Sequence, residues 1–283
     1  MPAIACIDTE LALRRAGCQT IAGVDEVGRG CWAGPVHAAV VVLPGECYTD
    51  RSLLAEVIDS KLLSPAKRQR LAAQIVGCAR GAAVAWVEAP LIDQLNILGA
   101  TRLAMQLAIR CLSGTASPHL CPGSGAEPPA GASSAGQMYG AGCLTGQGVR
   151  PDFVLTDAVK LPDLDLPQRA IVRGDRSCLA IAAASIVAKV TRDAEMERRH
   201  AQYPDLALAS NKGYGSRRHI EALHRAGVTP LHRRSFAPMK YLLGVHDYVA
   251  GVLPPPAGAA GATLQVPLPR ARRARARASS GRR

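Results

Sequence analysis

Two apolar runs, TIAGVD (residues 20–25) and PVHAAVVVL (35–43), stand so close together that no helix fits between them. Both have strand composition, and the short gap predicts a hairpin-like antiparallel pair. The gap itself is unusual. Asp25 and Glu26 open it, and Gly28-Arg29-Gly30 and Gly34 come next. A dinucleotide-binding loop needs GxGxxG and then a helix. Here the third glycine comes one residue late and a strand succeeds it, which excludes that reading. Two remain: a loop whose bare backbone approaches a ligand, with Arg29 on a phosphate, or a plain tight turn.

Further along, AAVAWVE (82–88), DFVLTD (152–157) and RAIVRGD (169–175) read as strands, the last two ending in acid. Between them lie helical patterns. Residues 64–80 open on Ser64 and Pro65, an N-cap and a first-turn proline, with Leu71, Ile75 and Cys78 on one face. Residues 90–112 carry Leu95, Leu98, Leu103, Leu107 and Ile109 at near-helical spacing. The segment from Cys178 to Gln202 reads as one long helix, and 216–227 as a short amphipathic one closing on Gly227. Strands alternating with helices place the chain in the α/β class.

The 283 residues, 48% of them hydrophobic, suffice for one large domain. Residues 114–149 are dense in Gly, Ser, Ala and Pro and read as a low-complexity insertion. Residues 1–19 read as an N-terminal extension, 20–250 as the main folded domain and 251–283 as a solvated tail. Seven arginines and no acid lie in 253–283, so the net charge of +12 leaves only +5 for the rest. A mildly basic body with a basic tail suits a polyanionic partner. Nine scattered cysteines without a CxxC pair exclude a zinc ribbon and read as reduced thiols of a cytoplasmic protein. No signal peptide or membrane span is expected.

Three strands thus end in acid: Asp25 with Glu26, Asp157, and Asp175. In open α/β sheets the functional crevice lies at strand ends. Four carboxylates gathered there repel one another unless cations intervene, and two divalent ions carry the balancing charge. All-oxygen ligands favour Mg²⁺ or Mn²⁺. Such a site suits phosphodiester cleavage. Neighbouring strand residues face opposite ways, so Asp25 and Glu26 share the site only if the strand ends or twists there. Taken singly, each acid reads first as a solvated turn former.

AGVDEVGRG, DSKLLS (59–64), IDQLNIL (92–98), VLTD, IVRGD, IAAASIVAKVTRDAEM (181–196), NKGYGS (211–216) and HRRSFAP (232–238) occur in this order. Together they resemble the ribonuclease HII family over about residues 20–245. The resemblance implies a ribonuclease H-like fold, a mixed β-sheet flanked by helices with a small helical C-terminal part. It implies a two-metal endoribonuclease, using Mn²⁺ or Mg²⁺, that cuts 5′ of ribonucleotides in RNA–DNA hybrids and of single ribonucleotides in duplex DNA. The family's catalytic, metal-holding acids fall on Asp25, Glu26, Asp157 and Asp175. Gly28, Arg29 and Gly30 match the loop whose backbone reads the 2′-hydroxyl, the group that separates RNA from DNA. Tyr214 matches the tyrosine that packs on the neighbouring sugar. Lys61, Lys212, Ser185 and Lys189 match positions near the nucleic acid. His232 reads as a structural hydrogen bond.

The chain departs from the family in three places. Asp157 is followed by Ala158-Val159 where Gly-Asn is usual, Cys31 replaces a common proline, and Leu62 stands where lysine is frequent. None removes an acid, so a change in rate or substrate preference is expected. The sister ribonuclease HIII carries an extra N-terminal domain for which about 20 residues leave no room. A non-catalytic binder would be weakened by four acids, and a phosphatase would not need Tyr214 and the GRG loop together. The Arg-rich tail is either a duplex contact or inert. QVPLP (265–269) resembles short sliding-clamp peptides. A monomer is expected.

Overall fold

The structure is a computed structural model that describes residues 6–116 and 138–243. Its six-stranded sheet is built from β1 (Ile21–Val27), β2 (Val36–Val42), β3 (Gly81–Val87), β4 (Tyr139–Thr145), β5 (Phe153–Asp157) and β6 (Gln168–Ile171). The order is β4-β3-β2-β1-β5-β6. The four strands from β4 to β1 pair antiparallel, whereas β1–β5 and β5–β6 are parallel. The sheet is therefore mixed, and β1 is the strand where its sense changes.

The helices of the described residues are α1 (Asp8–Arg15), α2 (Glu46–Thr49), α3 (Pro65–Cys78), α4 (Ala89–Leu112), α5 (Gly174–Ser177), α6 (Leu179–Gln202), α7 (Leu208–Asn211), α8 (Arg217–Ala226) and α9 (Ala237–Leu242). Period-two alternation splits the sheet residues between two cores. Ala22, Val24, Val36, Ala38 and Val40 pack with Ala104, Met105 and Ala108 of α4. Ala39 and Val41 face the other way, onto Leu71 and Ile75 of α3 and Ala182–Ala184 of α6. The helical C-terminal part comes last, from α7 to α9.

The Ser64 hydroxyl accepts the Lys67 amide and Pro65 opens α3, as the sequence predicts. Residues 90–112 are not one helix: Asn96 (φ 58) breaks α4, and its side chain caps the second segment by accepting the Leu98 and Gly99 amides. Leu95 and Leu98, beside this kink, are consequently exposed. The stretch 114–149 is not featureless, because β4 forms the edge of the sheet within it; 117–137 lie outside the described residues. The N-terminal segment is also more than an extension. Glu10 of α1 is buried and accepts the Ala180 amide at the start of α6. Seven of the described cysteines are free; Cys111 is disulfide-bonded, which corrects the expectation of reduced thiols there. No described helix is long and apolar enough to cross a membrane.

Candidate active site

Pairing of β1 with β5 stops at Val24 opposite Thr156, while β1 runs on against β2 to Val27. Asp25 and Glu26 therefore lie just past the last β1–β5 pair, and Asp157 succeeds Thr156 on the other side of the opening. This crevice at the carboxyl ends of parallel strands is where open sheets bind ligands. The strand does not end between Asp25 and Glu26. By alternation Asp25 shares the α6 side with Gly23, and Glu26 the α4 side with Ala22 and Val24. Asp175 is not at a strand end, contrary to expectation. Arg173 turns left-handed (φ 60) after β6 and puts Asp175 in α5. The Gly174 amide donates to Asp157 Oδ1 at 2.8 Å, which ties the last two acids together.

The four acids feel one another. Burial, then the charges of Glu26 and Asp157, push the Asp25 pKa well up; hydrogen bonds from Ser185 and the Glu26 amide oppose this. Burial raises Glu26 as well, against Arg29, with Asp157 adding to the rise. Asp157 is raised by burial and by Asp175. Among the described residues no three His, Cys, Asp or Glu close into a ready-made metal-ligand group. The donor chemistry nevertheless fits a divalent ion: the groups are all carboxylates, and Glu26 Oε2 is buried without a hydrogen-bond partner.

Two cations reach over these acids. Lys61 Nζ donates to Asp175 Oδ2 at 3.1 Å, and Arg29 Nη1 to Glu26 Oε1 at 3.0 Å. Burial would lower the Lys61 pKa, but its hydrogen bond to Asp175 and the charges of Asp175, Asp59 and Asp25 outweigh it and raise it. The buried Asp59 accepts the Lys61 amide at 2.9 Å and Arg176 Nε at 3.0 Å, which fixes the turn carrying Lys61. Lys61, Asp157, Ala158, Arg173, Asp175 and Arg176 line a pocket of about 270 Å³. Ser185, expected at the nucleic acid, is buried and bonded to Ser60 at 2.9 Å and to Asp25. It supports an acid from below and is not available to a duplex.

The GRG loop and Tyr214 form one unit. Gly28 has φ 90, and a Cβ there would meet Arg192 Nε at 2.2 Å. Gly30 is exposed, with nothing within 4 Å of an added Cβ, so its backbone is open to a ligand. The buried Arg192 donates to Pro35 O, Lys212 O and Ala33 O at 3.0, 2.9 and 3.4 Å, and its guanidinium carbon lies 6.0 Å from the Tyr214 ring centroid. Arg233, also buried, donates to Arg29 O and Gly34 O. Trp32 and Ala33 donate their amides to Gly213 O. Burial pushes the Tyr214 hydroxyl up to about 12.

His232 is structural, as expected. Its Nδ1 accepts the Thr229 amide, so Nε2 carries the proton and donates to His219 Nε2 at 3.1 Å. His219 Nδ1 then donates to Tyr214 O at 2.9 Å. Burial lowers both imidazoles, His232 to about 4, which keeps the relay neutral. Arg192 and Arg233 were missed from sequence. The available signal for Arg192 was a charge seven residues after Ser185 and four before Met196, on one helix face.

Lys189 and Lys212 are not beside the acids. They line a separate pocket of about 420 Å³ with Arg68, Asp193 and Glu197. Lys189 pairs with Asp193 at 2.7 Å and Lys212 with Glu197 at 2.5 Å.

Ala158, where the family usually has glycine, has φ 56 and is exposed. Ala158→Gly removes a left-handed penalty larger than the chain entropy it adds, for a net gain of about 0.5 kcal/mol. Thermal unfolding should show a small rise in Tm; a fall would show that Ala158 is unstrained.

A ribonuclease HII family model matches residues 22–113 and 137–239. The chain belongs to the ribonuclease HII family. The break in the match falls within the low-complexity stretch. Family relatives include ribonuclease HII of Dehalococcoides mccartyi, 41% identical over 234 residues, 83% of this chain and 93% of that one. Ribonuclease HII of Roseiflexus castenholzii is 42% identical over 233 residues, 82% and 88% of the two chains. Among solved structures, ribonuclease H2 of Pyrococcus horikoshii superposes with a TM-score of 0.55 at 22% identity, covering 78% of this chain and 95% of that one. Bst-RNase HIII in complex with Mn²⁺ gives 0.53 at 20% identity, covering 84% and 73%. The PCNA:RNase HII complex of Archaeoglobus fulgidus gives 0.52 at 24%, covering 77% and 95%. At these identities the structures share the ribonuclease H-like fold.

Proposed function

We propose that this ribonuclease HII-type endoribonuclease hydrolyses the phosphodiester bond on the 5′ side of a ribonucleotide. Its substrates are RNA–DNA hybrids and duplex DNA carrying single ribonucleotides, and the products have 3′-hydroxyl and 5′-phosphate ends. One observation carries the reading: Asp25, Glu26 and Asp157 flank the open end of β1 and β5, Asp175 is tied to Asp157 through the Gly174 amide, and an exposed Gly30 lies just beyond.

In this reading the four acids hold two divalent ions, Mn²⁺ or Mg²⁺, which when bound activate water and stabilise the leaving oxygen. The partnerless Glu26 Oε2 and the Mn²⁺ complex of Bst-RNase HIII support that assignment. The chain's own residues do the rest. Gly28, Arg29 and Gly30 present backbone to the 2′-hydroxyl, because no side chain at Gly30 obstructs it. Tyr214, held by Arg192 and the His219–His232 relay, packs on the adjoining sugar. Lys61 and Arg29 neutralise backbone phosphates. Lys189 and Lys212, already paired, serve at most the outer duplex. Residues 265–269, the proposed sliding-clamp contact, lie outside the described residues; the PCNA complex of the Archaeoglobus fulgidus protein supports that part.

The test is a substrate panel with Mn²⁺ or Mg²⁺: a duplex with one ribonucleotide, one with a longer RNA stretch, and an all-DNA duplex. Incision of the first two and not the third is expected. Release of inorganic phosphate would favour a phosphatase, and salt-dependent binding without turnover a non-catalytic binder.

A further inference from the structure

We propose that Lys61 and Arg29 are resident cations: they hold two of the four acids in the free protein and transfer to duplex phosphates on docking. Metal binding and substrate binding then strengthen each other. The proposal rests on the two-metal reading and adds a coupling to it.

The geometry is the same on both arms of the site. Lys61 Nζ lies 3.1 Å from Asp175 Oδ2 and 3.9 Å from Asp59 Oδ1, and Arg29 Nη1 lies 3.0 Å from Glu26 Oε1. In each pair the acid is the more buried partner and the cation reaches in from solvent. Side-chain exposure is 72% for Lys61 against 5% for Asp175, and 41% for Arg29 against 12% for Glu26. A divalent ion draws on the same two carboxylates, so it competes with these cations for charge even where, as at Glu26 Oε2, a free oxygen is open to it. Long, exposed side chains can pivot away without moving the acids. The backbone under Lys61 stays fixed, because Asp59 holds the Lys61 amide and is itself held by Arg176.

Charge sets the order of events. Once ionised, as holding metal requires, the four acids carry −4 and the two resident cations return +2, leaving a deficit that one divalent ion satisfies. A second ion is opposed until Lys61 and Arg29 find other anions. Two phosphates of a docked duplex are such anions, and guanidinium and ammonium groups are strong phosphate donors. By linkage, a duplex that draws the cations off raises metal affinity, and metal raises duplex affinity by the same factor.

The experiment titrates Mn²⁺ into the full chain and follows free Mn²⁺ by electron paramagnetic resonance, with and without saturating all-DNA duplex, which is not cut. For wild type, duplex should tighten Mn²⁺ binding about tenfold, within the usual span of coupling between linked sites. Lys61→Gln and Arg29→Gln should each bind Mn²⁺ several-fold tighter than wild type without duplex and gain less when it is added. Exposed positions make both variants safe for folding. Variants that bind Mn²⁺ no tighter than wild type, or a wild type that gains nothing from duplex, would overturn the exchange while leaving the metal site standing. A wild type that binds no Mn²⁺ under either condition would instead overturn the two-metal reading.

Discussion

Asp25→Asn should lower incision of a single-ribonucleotide duplex by about 10³-fold, the equivalent of roughly 4 kcal/mol of lost transition-state stabilisation. The same variant should be more stable than wild type when metal is absent. Asp25 is 4% exposed, and burial with the charges of Glu26 and Asp157 raises its pKa well above the aspartate range. The sign comes from proton counting. Between the ordinary aspartate pKa and the raised folded value, the folded protein holds more protons than the unfolded chain, so stability falls as pH rises through that window. Asparagine never ionises, and its oxygen can still accept from Ser185 and the Glu26 amide. Melting curves in EDTA across pH 5–8 should show Asp25→Asn above wild type, by a margin that widens toward the alkaline end. Added Mn²⁺ should narrow or reverse the gap. A variant less stable than wild type in EDTA at every pH would mean that the free protein favours the ionised carboxylate.

Gly23→Ala should be severely damaging, because the methyl it adds has no room against α6. A Cβ at Gly23 would lie 2.1 Å from the Ala180 carbonyl carbon, 2.3 Å from its oxygen and 2.5 Å from the Ile181 nitrogen. These are backbone atoms at the start of α6, so no rotamer change relieves the clash. The whole helix must move off β1, taking with it Ser185, which supports Asp25. The loss should exceed about 4 kcal/mol, beyond the ordinary range for point substitutions. At roughly 2–4 °C per kcal/mol for a chain of this size, Tm should fall by about 10 °C or the protein should fail to fold. Gly30→Ala is the matched control, because its Cβ meets nothing within 4 Å. Equal melting temperatures for the two variants would show that α6 does not press on β1 as closely as the structure has it.

Much of the fold was legible because its signals are local. The short gap after TIAGVD announced the β1–β2 hairpin, and Ser64-Pro65 announced the start of α3. The acids were legible because carboxylates ending apolar runs need a reason. The features that escaped depended on tertiary context. Tyr139–Thr145 has a glycine-rich composition that carries little strand propensity, and only pairing with β3 makes it an edge strand. Asp175 looked like a strand end because nothing in IVRGD announces that Arg173 turns left-handed. Arg192 and Arg233 drew no reading from the sequence, yet both are buried and donate to backbone carbonyls around the loop they hold, with Arg233 Nη2 left unpartnered. A sequence shows that a charge is present, not that distant carbonyls will surround it. Ser185 and Lys189 lie four residues apart on one helix, but one is sealed under Asp25 and the other opens onto a different pocket.

The most direct test maps the cut. A duplex with a single ribonucleotide, labelled at either end of the ribonucleotide-bearing strand, is incubated with the full chain and Mn²⁺, and the products are sized to one nucleotide. Their ends are checked by polymerase extension. The expected result is one cut on the 5′ side of the ribonucleotide, a 3′-hydroxyl that a polymerase extends, and a ribonucleotide kept on the 5′-phosphate fragment. A cut on the 3′ side, or an end that cannot be extended, would contradict an arrangement in which the GRG loop reads the 2′-hydroxyl beside Asp25, Glu26, Asp157 and Asp175.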